Sequence, residues 1–255
     1  MITVHDRAES VFTATGYGSL DPEIINPQVT EAIGGDYTLT FTYPADGALA
    51  EQLVLENIVA APTPSSALRQ GFRICQVATT FEGMVQVTAL HVSFDLAANL
   101  VADTFVVNKT PATALTQILG AAQYSHSFTA TSSDSSTRAS ARIVRTSVLA
   151  AIMDDGAENS FASRWGGEIA RDNWQLHHAT RLGADRGVVI RDRKNLTGYQ
   201  ADLDYTGVAT RLLPVGYDGL LLPELYVDSP RLTDYQTRFN QSMQHQLVGV
   251  TVDAR

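Results

Sequence analysis

The sequence predicts an α+β fold rich in β-structure, and three observations predict it. Tyr37, Leu39, Phe41 and Tyr43 alternate with three threonines, the period-two pattern of a strand with one buried face. Residues 71–79 and 84–94 are rich in Val, Ile, Thr and Phe and are separated by Phe81-Glu82-Gly83, which reads as a hairpin. Around residue 100 the pattern changes, and beyond Thr110-Pro111 the residues Leu115, Ile118, Leu119 and Ala122 fall at i, i+3, i+4 and i+7, one apolar helical stripe.

In chain order, a strand around residues 29–33 is expected to turn back at Gly34-Gly35 into the alternating strand, because glycine accepts the positive φ of a tight turn. A strand over 53–60 ends at Pro62-Thr63-Pro64-Ser65-Ser66, where each proline removes a ladder donor. Thr110-Pro111 opens the helix, with threonine able to cap free amides and proline preset for the first helical position. Residues 131–140 are nearly all small and polar and read as an exposed, mobile loop. A second helix is expected from a cap at Thr146 or Ser147 through Ile152, stopping by Gly156. Residues 164–171, 174–180 and 187–191 then read as strands, the first two flanking Asp172-Asn173. No repeat of fixed period is present.

The 255 residues suffice for more than one core, and 44% hydrophobic with 18% charged residues is a globular composition. The net charge is −9, from 27 acids and 18 bases, and only Lys109 and Lys194 are lysines. Such a surface repels a phosphate backbone, which argues against nucleic-acid binding. The arginine-heavy basic set suits bidentate carboxylate pairing between subunits. Residues 1–6 lack the basic and then apolar stretch of a signal peptide, and no run approaches the roughly 20 apolar residues that span a bilayer. The expectation is a chain folded in the cytoplasm.

No nucleophile, base and orienting group recur at a known catalytic spacing, and no cofactor loop is present. The expectation is no catalytic, cofactor-binding or metal-binding residues, and no cofactor. Cys75, the one cysteine, reads as a small buried apolar residue in preference to a reactive thiol. His177 and His178 are adjacent on a strand and point to opposite faces, so they read as structural histidines before a metal pair. Asp154, Asp155 and Glu158 offer paired carboxylates, but no calcium-loop spacing surrounds them, and a solvated turn or an ion pair is the plainer reading. Arg191-Asp192-Arg193-Lys194 reads as a turn at a strand end, not a phosphate track. Trp165 and Trp174 read as core before a glycan platform. Gly16-Tyr17-Gly18 is a turn signal.

From residue 149 to 230 a set of motifs stands in one order. The second helix precedes Trp165-Gly166-Gly167-Glu168-Ile169, then a strand from Trp174 to Ala179 and Arg181-Leu182-Gly183. Arg186-Gly187-Val188-Val189-Ile190-Arg191 and Lys194-Asn195-Leu196-Thr197-Gly198 follow, then Thr210-Arg211-Leu212-Leu213-Pro214-Val215-Gly216 and Asp228-Ser229-Pro230. With Asn108-Lys109-Thr110-Pro111 upstream, this order resembles the N-terminal hub region of siphophage tail-associated proteins, also described as minor structural or prophage endopeptidase tail proteins.

The resemblance implies a baseplate-hub-like fold of small β-barrel-like tube domains with intervening α/β elements. Residues 1–103 would form the first tube domain, 104–200 an α/β insertion with two helices and a β-hairpin region, and 201–255 the start of a second tube-like region. The chain ends within the strand-like run 245–252, so that second region is expected to be incomplete. The resemblance further implies a homotrimer at the virion tail tip that closes the tail tube, with the distal tail protein, the tail tube and the tape-measure protein as partners. DNA would pass through its channel without specific binding, which a net-negative lumen favours. Relatives carry a separate C-terminal peptidase or lysin part, so this stretch is expected not to be an enzyme. A peptidoglycan-degrading tail endopeptidase and a receptor- or glycan-binding tail module are the rival readings.

Overall fold

The computed structural model describes residues 1–191, 194–196, 198–202, 208–215, 219–221, 223–234 and 240–244. It divides into two compact units, residues 1–186 and 187–255, and it is β-rich as the sequence predicts.

The first unit opens with β1 (Thr3–His5), β2 (Gly18–Ser19), β3 (Ile25–Glu31), β4 (Tyr37–Pro44), β5 (Ile58–Ala61), β6 (Gln70–Thr79) and β7 (Met84–His91). These make one antiparallel sheet in the order β2-β1-β5-β6-β7-β4-β3, curled into a half barrel. The alternation in β4 has the expected effect: Tyr37, Leu39, Phe41 and Tyr43 are buried and pack with Phe72, Ile74, Val85, Val87 and Ala89. The β3–β4 and β6–β7 hairpins form where glycine was expected to turn the chain, with Gly34 at φ 73° and Gly83 at φ 72°.

Three expectations for this region change. The strand expected over 53–60 shrinks to β5, because Ala50–Gln52 is a 3-10 turn and Glu56 sits at φ 74°, which breaks extended geometry. β7 stops at His91 rather than at Phe94, since the His91 ring accepts the Ser93 amide and starts a 3-10 helix over Val92–Ala97. Cys75 is exposed. Phe72 and Ile74 of β6 face the core, so strand alternation turns Cys75 to the other face, at the point where the ladder between β6 and β7 shifts register between Ile74 and Gln76.

A second layer follows within the same unit: β8 (Leu100–Lys109), α1 (Pro111–Gly120), β9 (Thr129–Ser132), β10 (Ala139–Ser147), α2 (Val148–Met153), α3 (Phe161–Trp165), β11 (Glu168–Asp172) and β12 (Gln175–Ala179). β8 and β10 form an antiparallel ribbon, and β11-β12-β9 a three-stranded sheet in which β9 runs parallel to β12. Leu115, Ile118 and Leu119 of α1 pack with Val148, Ile152, Phe161 and Trp165. Ala122 lies past the helix end and bridges to Val101. Thr110 takes the cap position, but its hydroxyl meets Thr113 Oγ1 at 3.1 Å instead of a backbone amide. Ser147 caps α2 as expected, accepting the Ala150 amide at 3.1 Å.

Residues 131–140 are not the open loop that their composition suggested. Ser132 ends β9, Ala139 starts β10, and the Asp134 carboxylate between them accepts the amides of Ser136 and Thr137. The Thr137 side chain first, then the amide and hydroxyl of Ser136 and the Thr137 amide, hold the Asp134 carboxyl well below the usual carboxylate range. The strand expected over 164–171 begins only at Glu168. Ser160 and Ser163 close a capping box that starts α3, Phe161 stacks on Trp165 one turn later, and Gly166 and Gly167 at positive φ end the helix.

The second unit contains β13 (Arg211–Val215), β14 (Val227–Asp228) and β15 (Asn240–Gln244), in the order β14-β13-β15. Arg211 grips Asp228 through Nε at 2.5 Å and Nη2 at 2.8 Å, pinning β13 to β14. No strand forms over 187–191. The Asn195 side chain bonds the Arg191 amide and the Val189 carbonyl there, so these groups serve a turn and not a ladder. The run 245–252 and two residues of the cluster at 191–194 lie outside the described residues.

Candidate functional site

The densest polar constellation of the first unit is built on the turn between β11 and β12. Asp172-Asn173 was expected to turn the chain, and Asn173 at φ 49° does so, a conformation asparagine tolerates better than most residues. Arg171, just before the turn, is buried and donates to three carbonyls of the β3–β4 turn: Gly35 at 2.9 Å, Ala32 at 2.9 Å and Asp36 at 3.3 Å. Its guanidinium also lies 5.0 Å from the centre of the Tyr37 ring. Asn173 takes the Gly71 amide on its Oδ1 at 2.8 Å and donates Nδ2 to the Arg69 carbonyl at 2.9 Å. Trp174 donates its indole N–H to the Ser10 carbonyl and sets its ring edge-on to Phe128.

Gln70 on β6 links this turn to a buried histidine. Its Nε2 donates to Asp172 Oδ1 at 2.6 Å, and its Oε1 accepts both the Asn173 amide at 2.7 Å and His91 Nε2 at 3.1 Å. An amide oxygen only accepts, so His91 carries its proton on Nε2 and leaves Nδ1 to accept from Ser93. The His91 ring stacks on Tyr37 at 4.3 Å. Burial, and then the positive Arg171, push the His91 pKa down to about 3. The imidazole is therefore neutral and fully bonded, which makes the constellation a lock between the two layers of the unit and not an acid–base pair.

A second cluster has the outward form of a nucleophile and base. Thr3 Oγ1 lies 2.8 Å from His5 Nε2. Arg69 donates to the same hydroxyl at 2.6 Å and also holds the Phe12 and Ala14 carbonyls, so the hydroxyl is shared between the guanidinium and the Nε2 side of the His5 ring, whose other nitrogen is Nδ1. That Nδ1 has no partner. Thr3 and His5 are both buried, so no substrate atom reaches them, and the cluster braces the N-terminal segment. Burial, then Arg69, lowers the His5 pKa from its ordinary value.

The residues singled out in the sequence separate in space. His177 is half-buried and bonds Thr131 Oγ1 at 2.8 Å, whereas His178 is buried between Ser132 Oγ at 2.9 Å and the Gly166 carbonyl at 3.1 Å. They face opposite sides of β12, as adjacent strand residues must. Asp154 ends α2 and accepts the amides of Gly156 and Ala157, and Glu158 pairs with Arg164 at 3.7 Å, so this acidic run is a turn. Trp165 is buried with its N–H on the Lys109 carbonyl. Gly16 stands at φ 57° against the Val4 carbonyl and the His5 ring, the turn that Gly16-Tyr17-Gly18 signalled. Among the described residues no three His, Cys, Asp or Glu side chains converge as metal ligands, and no helix is long and apolar enough to cross a membrane.

The open grooves add little chemistry. One of about 560 Å³ is lined by Leu55, Glu56, Arg73, Cys75, Phe94 and Asp95. Its Arg73 is already held by both Asp95 oxygens, at 2.8 and 2.7 Å, and the Cys75 thiol donates to the Thr88 carbonyl at 3.3 Å. What sequence reasoning missed is the lock itself. Gln70, His91 and Arg171 sit inside strand patterns, and only the Asp172-Asn173 turn signal pointed near it.

No family model and no curated protein matches the chain. Among solved structures, it is similar to the prophage tail protein gp18 from Listeria monocytogenes EGD-e, at 16% identity and a TM-score of 0.59, covering 96% of this chain and 72% of that one. At that identity the likeness speaks for the fold: over nearly its whole length, this chain is folded like a prophage tail protein.

Proposed function

We propose that the chain is a structural component of a phage tail, the hub that closes the tail tube at its tip. The observation that carries the reading is the likeness in fold, over 96% of the chain, to a protein described as a prophage tail protein. The use of polar side chains supports it. Arg171, Gln70, Asn173 and His91 are consumed in binding strands and turns to one another, which suits a part that must keep its shape under load and not one that turns over substrate. In this reading copies form a trimer whose partners are the distal tail protein, the tail tube and the tape-measure protein, and let DNA pass along a net-negative channel that offers it no binding minima.

Gold-labelled antibody against the chain, imaged on intact tails, tests the placement. Label at the distal end with a threefold ring beneath it is expected, and label along the tube or absent from particles refutes it. Purified cell walls incubated with the protein should release no soluble fragments, since release would make it a hydrolase. Binding to an immobilised glycan panel would instead favour a receptor module.

A further inference from the structure

The β8–β10 ribbon carries an exposed apolar surface. Its inner face, with Val106, Ala141 and Ile143, is buried in the core of the second layer. In the register, Phe105 stands opposite Arg142 and Asp103 opposite Val144, so these four and Val107 share the outer face. The solvated face of an antiparallel ribbon is ordinarily polar. Here Phe105 is 61% exposed, Val107 50% and Val144 42%, an apolar patch of the kind that marks contact sites.

Charge sets the ribbon apart as well. Lys109, Arg142 and Arg145 lie on its two strands against the single acid Asp103, a net +2 in a chain of net −9, which leaves −11 for the remainder, and Arg138 stands immediately before β10. Residues 1–56 hold nine acids and one base, Arg7, for a net −8. Within that acidic stretch β3 is the last strand of its sheet. Its Ile25 is 39% exposed and Ile33 at its turn 64% exposed, with Glu31 between them.

We propose that the outer face of the β8–β10 ribbon docks onto the acidic β3 edge of a second copy of this chain. Phe105, Val107 and Val144 supply the apolar centre against Ile25 and Ile33, and Arg145, exposed at the end of the ribbon where its φ of 51° breaks the strand alternation, supplies the charge opposite Glu31. Because the two surfaces differ, the contact is head to tail, and repetition closes a ring when the rotation allows. Opposed charge fixes register and speeds encounter, while the apolar centre sets the lifetime of the contact. The inference rests on the proposed assembly of copies and names the surfaces that make it.

Sedimentation velocity of the full chain across a concentration series, at low and high salt, tests the contact. Wild-type protein should associate, and more weakly as salt rises. Phe105→Ser and Arg145→Glu should each weaken association about tenfold or more, without changing the unfolding transition of the monomer, because both side chains are exposed. Arg145→Glu combined with Glu31→Arg should recover most of the loss. Should Phe105→Ser misfold, Val144→Ser reads the same patch. Association of Phe105→Ser or Val144→Ser at wild-type strength, or no recovery in the charge exchange, overturns these surfaces and leaves assembly standing. A wild-type chain monomeric throughout overturns both, while the labelling of tails reads the location separately.

Discussion

His91 and Gly16 show how single positions are fixed by surroundings that their neighbours in sequence do not reveal. The His91 pKa is lowered from 6.5 to about 3 by burial and by Arg171. The unfolded chain therefore takes up this proton first as pH falls, and the stabilisation by neutral His91 is complete above pH 6.5 and lost toward pH 3. Its slope approaches about 1.4 kcal/mol per pH unit within that window. Urea midpoints measured through the window should fall with acid more steeply for the wild type than for His91→Gln. Parallel slopes would mean that His91 titrates normally. Gly16 and Gly34 both adopt positive φ, but a Cβ at Gly16 meets the Val4 carbonyl and the His5 ring while one at Gly34 meets nothing. Gly34→Ala should cost about 1 kcal/mol from backbone strain alone, and Gly16→Ala clearly more, about 2–3 kcal/mol; equal melting temperatures for the two variants would refute the crowding.

At the scale of elements, the turn between β11 and β12 joins two layers that local sequence patterns describe separately. Asn173 is the test residue because its conformation and its bonds can be separated. Asn173→Gly keeps the positive φ but removes the bonds to the Gly71 amide and the Arg69 carbonyl. A loss of about 2 kcal/mol in denaturant unfolding is expected, since buried backbone groups are left unpaired, and a change below a few tenths would make the lock ornamental. Elements with a strong local code were legible: β4 from its alternation, α1 from its stripe, α2 from Ser147. Those that failed did so because side chains supplied backbone partners that periodicity does not register. The Ser160–Ser163 box turned an expected strand into α3, Asp134 organised a polar stretch, and the Asn195 side chain took up groups of 189–191 that were expected to join a ladder.

At the scale of the molecule, the three buried apolar clusters found among the described residues lie within residues 1–186. A chain ending at Arg186 should therefore keep the near-ultraviolet circular dichroism of aromatic side chains packed in those clusters and unfold cooperatively; a non-cooperative transition would show that the first unit depends on the second. Charge is also unevenly balanced at this scale, with nine acids against one base in the first 56 residues and three bases against one acid on the β8 and β10 strands, an asymmetry that whole-chain composition averages away. Phe105-Val106-Val107 carried a hint, since a continuous apolar run on a strand has both faces covered, and in this structure only one is.

By itself the sequence determined the β-rich class, the first hairpins, the helical interruption and the absence of familiar catalytic spacings, because each follows from local period and turn chemistry. Only the tertiary structure decided that Cys75 turns outward, that His91 is neutral and held by Gln70, and that Arg171 clasps a turn far away in the chain. Those outcomes depend on which strands become neighbours, and long-range pairing is chosen by burial and hydrogen-bond satisfaction over the whole sheet, which no short window of residues encodes.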